Sequence, residues 1–298
     1  MAARTKQNPL ASVALTLSLL LAGAVFAAPP RVLSEEEARW NAPVAPFRIA
    51  DNLYYVGTAD LAAYLVVDPA GMILLDGGLP QSAPLILDSI RKLGFDPGRV
   101  RYLINSQAHF DHAGGLAELK AATGGKLLAS APDAELLMRG GSGDFAFGDT
   151  LTYAPVKVDS LIKDGAVLSL GRIRMTAHLT PGHTRGCTSW TMPVRVDRRM
   201  RNALFICGAS APGYRLSDNP AYPSIMDDFG RSFAKWRALD CDLFLGAHAS
   251  YSGMAEKRAR MASARSNSFV DPEGCQAFLY KAEASIRDQH AKEIAANQ

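Results

Sequence analysis

No stretch of this 298-residue chain concentrates basic residues, and the formal net charge is only +3. A chain with so small a net charge and no basic block gives nucleic-acid binding no compositional support. No Gly-Ser linker divides the sequence and no short repeat recurs. One domain with two β-rich halves, residues 28–298, is the economical organisation. No cysteine follows the apolar run near the N-terminus, which argues against a lipoprotein. What remains, 48% hydrophobic and 20% charged, is globular composition.

The first residues differ in kind. Arg4 and Lys6 precede an almost wholly apolar run, Leu10 to Phe26, and Val25-Phe26-Ala27 places small residues at −3 and −1 before Ala28. Residues 1–27 read as a cleaved secretory signal, with an uncleaved anchor as the alternative. Export to the periplasm, with no stable membrane anchor, is the expectation. It would put the four cysteines, Cys187, Cys207, Cys241 and Cys275, in an oxidising space. If all four pair, three pairings are open.

Short apolar runs predict strands at 54–57, 64–67, 72–76, 102–105, 127–129, 173–178, 188–192, 203–207 and 242–246. Helical patterns fall at 82–93, 114–123, 133–138, 225–239 and 274–295. Between them, "RGGSGDFAFGDTLTYAP" (139–155) is too irregular for a core element. It is either a loop over a cleft, with Phe145, Phe147 and Tyr153 as walls, or a connection whose aromatics tuck down.

The chemistry concentrates in "SQAHFDHAGG" (106–115), which leaves a strand and enters a helix. In an extended segment, alternation would put Gln107, His109 and Asp111 on one side, with His112 turning away. His183, in "TPGHTRG", and His248, in "LFLGAHAS", also sit in loops off strand ends. Four of the six histidines lie in these three segments. Each alone would be an ordinary hydrogen-bonded histidine, but together with Asp111 they make a donor set suited to zinc. His178, inside a strand, reads as a core or supporting residue, and His290, on a polar helix, as solvated.

In this order and spacing the three segments resemble the metallo-β-lactamase superfamily. "DNLYYVGTADLAAYLVV", "GMILLDGGLP", "GSGDFAFGDTLTY" and "SAPGYRLSDNPAYPSIMDDFGRSFA" are similar to its subclass B3, over about residues 40 to 285. The resemblance implies an α+β fold, the four-layer αββα sandwich, with a metal cleft at one edge between two sheets. It implies two Zn2+ ions, one on Gln107, His109 and His183, the other on Asp111, His112 and His248. The family normally has His where this chain has Gln107, although some subclass members carry Gln. A neutral amide oxygen is a weaker donor than an imidazole, so the Gln107 site is expected to bind zinc more weakly; alternatively Gln107 supports the site without ligating. Cys241 and Cys275 match the family's C-terminal disulfide, which would leave Cys187 and Cys207 free. Cys207 falls just before a position where other subclasses place a zinc-binding cysteine, here Gly208, and reads as a buried free thiol.

The implied activity is zinc-dependent hydrolysis of the β-lactam amide, a small-molecule substrate, with Asp111 orienting the attacking water and Ser210 binding the substrate carboxylate. Ser210 reads equally as a turn serine before Pro212. Family members often carry a second serine where this chain has Gly208, so carboxylate binding is expected to be looser. A same-fold lactonase or thioesterase is the alternative, but "ICGASAPG" lacks the bridging Asp those enzymes use. A non-catalytic binding protein rests only on the Gln107 substitution. Neither substrate preference nor oligomeric state has a signal in the sequence.

Overall fold

Apolar alternation decides the layers. In β3 (Tyr64–Asp68) and β4 (Gly71–Leu75) every residue but Val67 is buried. Tyr64, Val66, Ile73 and Leu75 join one core cluster, whereas Leu65, Met72 and Leu74 join another. A sheet with apolar side chains on both faces must be covered on both.

The structure, a computed structural model, describes residues 1–2, 31–261, 263 and 267–297. The proposed signal segment, 1–27, lies almost wholly outside the described residues. Met1–Val32 separates as a unit of its own, and the second unit, Leu33–Gln298, carries the sheets and helices.

Helix α1 (Glu35–Trp40) starts at a capping box between Ser34 and Glu37. Strands β1 (Phe47–Ala50), β2 (Leu53–Tyr55), β3 and β4 form an antiparallel meander. Helix α2 (Ser82–Lys92) then carries the chain to β5 (Val100–Ile104), parallel to β4. Helices α3 (Phe110–Ala113) and α4 (Leu116–Thr123) lead to β6 (Lys126–Ser130). Helix α5 (Ala131–Met138) and a long loop lead to β7 (Ser160–Ile162). Both joins are again parallel, which is why helices fill the crossovers. The seven strands lie in sequence order.

The second sheet is a meander of β8 (Val167–Leu170), β9 (Ile173–Leu179), β10 (Thr188–Val196) and β11 (Arg199–Ile206). Helix α6 (Ile225–Ala238) crosses to β12 (Leu243–Gly246), parallel to β11. Helices α7 (Met254–Arg260) and α8 (Pro272–Ala296) complete the chain.

Three apolar clusters account for the four layers. Ile73, Leu75 and Ile104 of the first sheet meet Trp190, Met192 and Phe205 of the second. Ala83, Ile86, Leu87 and Ile90, one face of α2, cover Leu74, Leu103 and Leu127 on the outside of the first sheet. Phe229, Phe233 and Trp236 of α6, with Leu279 of α8, cover Leu204, Ile206 and Phe244 on the outside of the second. This is the αββα sandwich.

Strands β1, β7 and β8 have no counterpart among the predicted strands. Each lies at an edge of its sheet and is only 3 or 4 residues long, and β7 and β8 are largely solvent-facing. Such strands need no apolar run and leave none to read.

One expectation is corrected. Cys187 and Cys207 are not free; they are disulfide-bonded, with Cα atoms 6.0 Å apart. Cys187 lies just before β10 and Cys207 just after β11, and the pairing of these two strands brings both cysteines to the same end of the sheet. A second bond joins Cys241 to Cys275, tying the start of β12 to α8.

Candidate metal centre

The 106–112 segment leaves β5 pinned at its first residue. The Ser106 N–H and hydroxyl donate to the two carboxylate oxygens of Asp76, at 2.6 and 2.7 Å. Asp76 follows β4 with φ +66°, an unusual conformation for a side chain with a Cβ. Further on, the Tyr153 hydroxyl donates to the Ala108 carbonyl. The segment does not stay extended through Asp111: His109 is the N-cap of α3, so Asp111 and His112 project from its single turn.

One loop and one strand end complete the group. The 180–187 loop is held by Thr180 N–H donating to Cys187 O at 2.8 Å and by Gly186 N–H donating to Asp133 at 3.1 Å. At Gly182, φ is +136° and a Cβ would lie 2.6 Å from the Phe229 ring, so only glycine fits. His248 follows β12.

Asp111, His112 and His248 converge. His112 Nε2 lies 3.3 Å from His248 Nε2 and 3.3 Å from Asp111 Oδ2, and His248 Nε2 lies 3.4 Å from Asp111 Oδ2. Tetrahedral ligands held about 2.0–2.1 Å from zinc stand about 3.3 Å from one another, so this triangle has the size the ion requires. His109 Nδ1 and His183 Nε2 face each other at 3.2 Å. Gln107 is fully buried, and neither its amide oxygen nor its nitrogen has a hydrogen-bond partner among the described residues.

On two of the four rings the other nitrogen is hydrogen-bonded, and on the other two it faces a carboxylate at longer range. His183 Nδ1 lies 2.7 Å from Ser210 O, and His248 Nδ1 lies 2.9 Å from Asp60 Oδ2. His109 Nε2 faces Asp144 at 3.5 Å, and His112 Nδ1 faces Asp76 at 3.8 Å. The hydrogen-bonded partners fix the tautomers of His183 and His248 and turn their Nε2 lone pairs inward. The His183 Nε2 lone pair therefore points at His109 Nδ1, 3.2 Å away, where a proton or a cation would lie between them, and the unpartnered Gln107 amide is buried in the same segment. The residues present therefore fit a pair of metal ions.

The electrostatics agree. Burial pushes the Asp111 carboxyl up, but the rings of His112 and His248 outweigh it and hold it well below the usual carboxylate range. Burial would lower His248, yet Tyr251, Asp111 and Asp60 raise it well above the ordinary histidine value. His183 is pushed down to about 3, by burial and then by His109. One donor set draws positive charge, and the other keeps a neutral ring available.

The centre opens into a cavity of about 430 Å³ walled by Trp40, Phe147, Ser210 and Tyr251. Phe147 is a cleft wall, with its ring 5.0 Å from that of His109, while Tyr153 tucks down and Phe145 stacks edge-on to Tyr214 and Tyr222. Ser210 presents its carbonyl to His183 and lines the cavity. A Cβ at Gly208 would lie 2.3 Å from the His183 ring, so the ring occupies the space a serine there would need. Cys207 is in a disulfide and offers no thiolate. His178 bonds Thr191 at 2.7 Å, and His290 is half-buried on α8; neither joins the centre.

Nothing in the local sequence singles out Asp60, Asp76 or Asp144. The signal that could have found them is a requirement of the chemistry: an imidazole turned toward a metal needs an acceptor behind it. The segments "GTADL", "LLDGG" and "GSGDF" each supply one.

A sequence profile of the metallo-beta-lactamase superfamily matches residues 61–196. A metallo-beta-lactamase of Cronobacter sakazakii, described by its HARLDQ motif, is 39% identical, with 87% of this chain and 99% of that one covered and a TM-score of 0.84. BJP-1, a subclass B3 metallo-beta-lactamase of Bradyrhizobium japonicum, is 39% identical over 87% of this chain and 98% of that one, TM-score 0.83. FEZ-1 of Legionella gormanii is 39% identical over 85% and 98%, TM-score 0.83. The chain belongs to the metallo-β-lactamase family. Within it the likeness is to subclass B3, and the protein is a hydrolase of this class. Curated relatives are more distant: a hydroxyacylglutathione hydrolase of Maricaulis maris is 28% identical over 126 residues, and the match spans only 41% of that protein's length.

Proposed function

We propose that the chain hydrolyses the amide of β-lactam rings in penicillins, cephalosporins and carbapenems, and so confers antibiotic resistance. The observation that carries this is the pair of inward-facing donor sets at the floor of one cleft, in a chain 39% identical to metallo-beta-lactamases over most of its length.

His109 and His183, with Gln107, would hold one zinc ion, and Asp111, His112 and His248 a second. When bound, zinc lowers the pKa of a coordinated water toward ~7 and polarises a carbonyl oxygen. Asp111 stays ionised and accepts a hydrogen bond from the attacking water, aiming its oxygen at the lactam carbon. Trp40, Phe147 and Tyr251 hold the ring system and exclude bulk water. The Ser210 hydroxyl donates to the substrate carboxylate. The water oxygen joins the carbonyl carbon, the C–N bond breaks, and the ring nitrogen ends protonated. Gln107 offers a neutral oxygen, so the first site is the weaker.

Thioester or lactone hydrolysis is the second reading, favoured by the similarity to hydroxyacylglutathione hydrolase. Against it, residues 203–210 carry no carboxylate, and Cys207 is held in a disulfide. Export is part of the proposal: two disulfides suit an oxidising compartment.

The test is carbapenem hydrolysis by the purified protein with added zinc and again with a chelator. Turnover that the chelator removes, and that Asp111→Ala nearly abolishes, is expected. No turnover of any β-lactam at saturating zinc would move the assignment to the second reading.

A further inference from the structure

The three donors assigned to the first ion come from two separate segments. Gln107 and His109 lie in the run that leaves β5, and His183 lies in the 180–187 loop between β9 and β10. The second ion differs, because Asp111 and His112 are adjacent on one helical turn and their spacing is set locally. For the first ion, only tertiary contacts set the 3.2 Å between His109 Nδ1 and His183 Nε2. One side chain reaches both segments and belongs to neither. It is Asp133, on the first turn of α5 and only 2% exposed.

The Asp133 carboxylate spans the two. Its Oδ1 accepts the Gly186 N–H at 3.1 Å, and its Oδ2 accepts the Thr184 hydroxyl at 3.3 Å, both on the chain just after His183. Oδ2 also accepts from the Asn105 side-chain amide at 3.4 Å, at the last residue before the 106–112 run. Asn105 and Thr184 are themselves buried. The fit on the loop side is close. A Cβ at Gly186 would lie 2.5 Å from Asp133 Oδ1 and 2.3 Å from the Ser130 hydroxyl, so only glycine lets the loop backbone sit this near α5. Other restraints on the loop act elsewhere: Cys187 bonds Cys207, the Thr188 N–H donates to Ser106 O at 2.7 Å, and Ser210 O meets the His183 ring. None of these three grips residues 184–186.

We infer that Asp133 is a positioning residue for the first metal site: its carboxylate ties the His183 loop to the end of β5 and so sets the spacing of the His109 and His183 donors. This rests on the assignment of Gln107, His109 and His183 to one ion. That site needs such a tie more than its neighbour does. Gln107 contributes only a neutral amide oxygen, so binding there depends on two imidazoles held at the right distance. A carboxylate suits the role, because its two oxygens can take three donors at once and its hydrogen bonds are stronger than those between neutral groups.

The experiment titrates zinc into the chelator-treated chain against a chromophoric chelator, with His109→Ala and His248→Ala marking which step belongs to which site. Asp133→Ala is expected to weaken the first site about 10- to 100-fold and to leave the second within about twofold. Asp133→Asn keeps an oxygen for Gly186 and an amide that can donate to Asn105 Oδ1, which has no other partner among the described residues, so it should recover most of the loss. Thr184→Val removes one donor with little change in volume. It should shift the same site in the same direction by less, and it decides the matter if Asp133→Ala does not fold. Equal weakening at both sites, or an unchanged first site, overturns the assignment. If the native chain shows no step that His109→Ala removes, the ligand assignment has failed, and amide hydrogen exchange on the metal-free chain decides the tie by itself. Faster exchange of the Thr188 N–H in Asp133→Ala supports it; unchanged exchange overturns it.

Discussion

His248 Nδ1 lies 2.9 Å from Oδ2 of Asp60, a residue 188 positions earlier in the chain. The other Asp60 oxygen accepts from Ser250 N–H at 2.8 Å, so one carboxylate fixes both the ring and the backbone that carries it. Trp40 stands 5.6 Å from the same ring on one side and Tyr251 5.2 Å on another. Asp60→Ala is expected to lower zinc affinity at the second site about 10- to 100-fold, read by competition with a chromophoric chelator. Asp60→Asn keeps an acceptor for Nδ1 and should lose less. Unchanged affinity in Asp60→Ala would mean that packing alone orients the ring.

Gln107→His replaces an amide oxygen with an imidazole nitrogen. It also removes a buried amide with no partner among the described residues, an arrangement that costs about 1–3 kcal/mol. Tighter binding of the first-site zinc is expected, seen as a second metal equivalent retained through dialysis, with a modest change in turnover. If zinc affinity and turnover both stay as they were, Gln107 does not face the metal.

Gly208→Ala tests the contact beneath His183. The added Cβ would stand 2.3 Å from two ring atoms, so the ring must move. A loss of stability of about 1–3 kcal/mol is expected, as for other overpacked sites, together with weaker metal binding at the His183 site and little change at the other. Melting curves and metal titration on one preparation separate the two effects. A variant with native Tm and native metal content would show that the ring does not rest on residue 208.

Asp133 gives a pH dependence whose sign can be stated. It is buried, and desolvation raises its carboxyl to about 6, despite donation from Thr184 and Gly186. The unfolded value is about 3.9, so the folded chain binds this proton more tightly. The resulting stabilisation is complete below about pH 4 and is lost as pH rises through 6, at most ~2–3 kcal/mol. Urea unfolding of chelator-treated protein between about pH 4 and 7 should therefore show a slope that Asp133→Asn flattens. The same slope in both proteins would mean that Asp133 does not titrate in this range.

The local pattern was legible because it depends on neighbours in sequence. Alternating Tyr64–Leu65–Val66 and the repeat of Ala83, Ile86 and Ile90 declare which faces are buried, whatever they meet. The "SQAHFDH" segment, His183 and His248 announce metal chemistry by residue type and by their place after strands. Three things could not be read this way. The pairing of Cys187 with Cys207 depends on β10 lying beside β11, which brings the start of one strand to the end of the other and has no local mark. The placing of Asp60 behind His248 follows from loops of two different sheets that meet when the sheets stack, and that of Asp144 opposite His109 from two connections of the first sheet meeting at its edge. The turn at His109 comes from α3 starting one residue later, which swings Asp111 out of the line that alternation assigns it. Sequence by itself determined the donor types and the buried faces, because both are carried by single residues and short spacings. Tertiary structure decided which donors converge, which acceptor stands behind each ring and which cysteines bond, because those depend on distances between segments up to 188 residues apart.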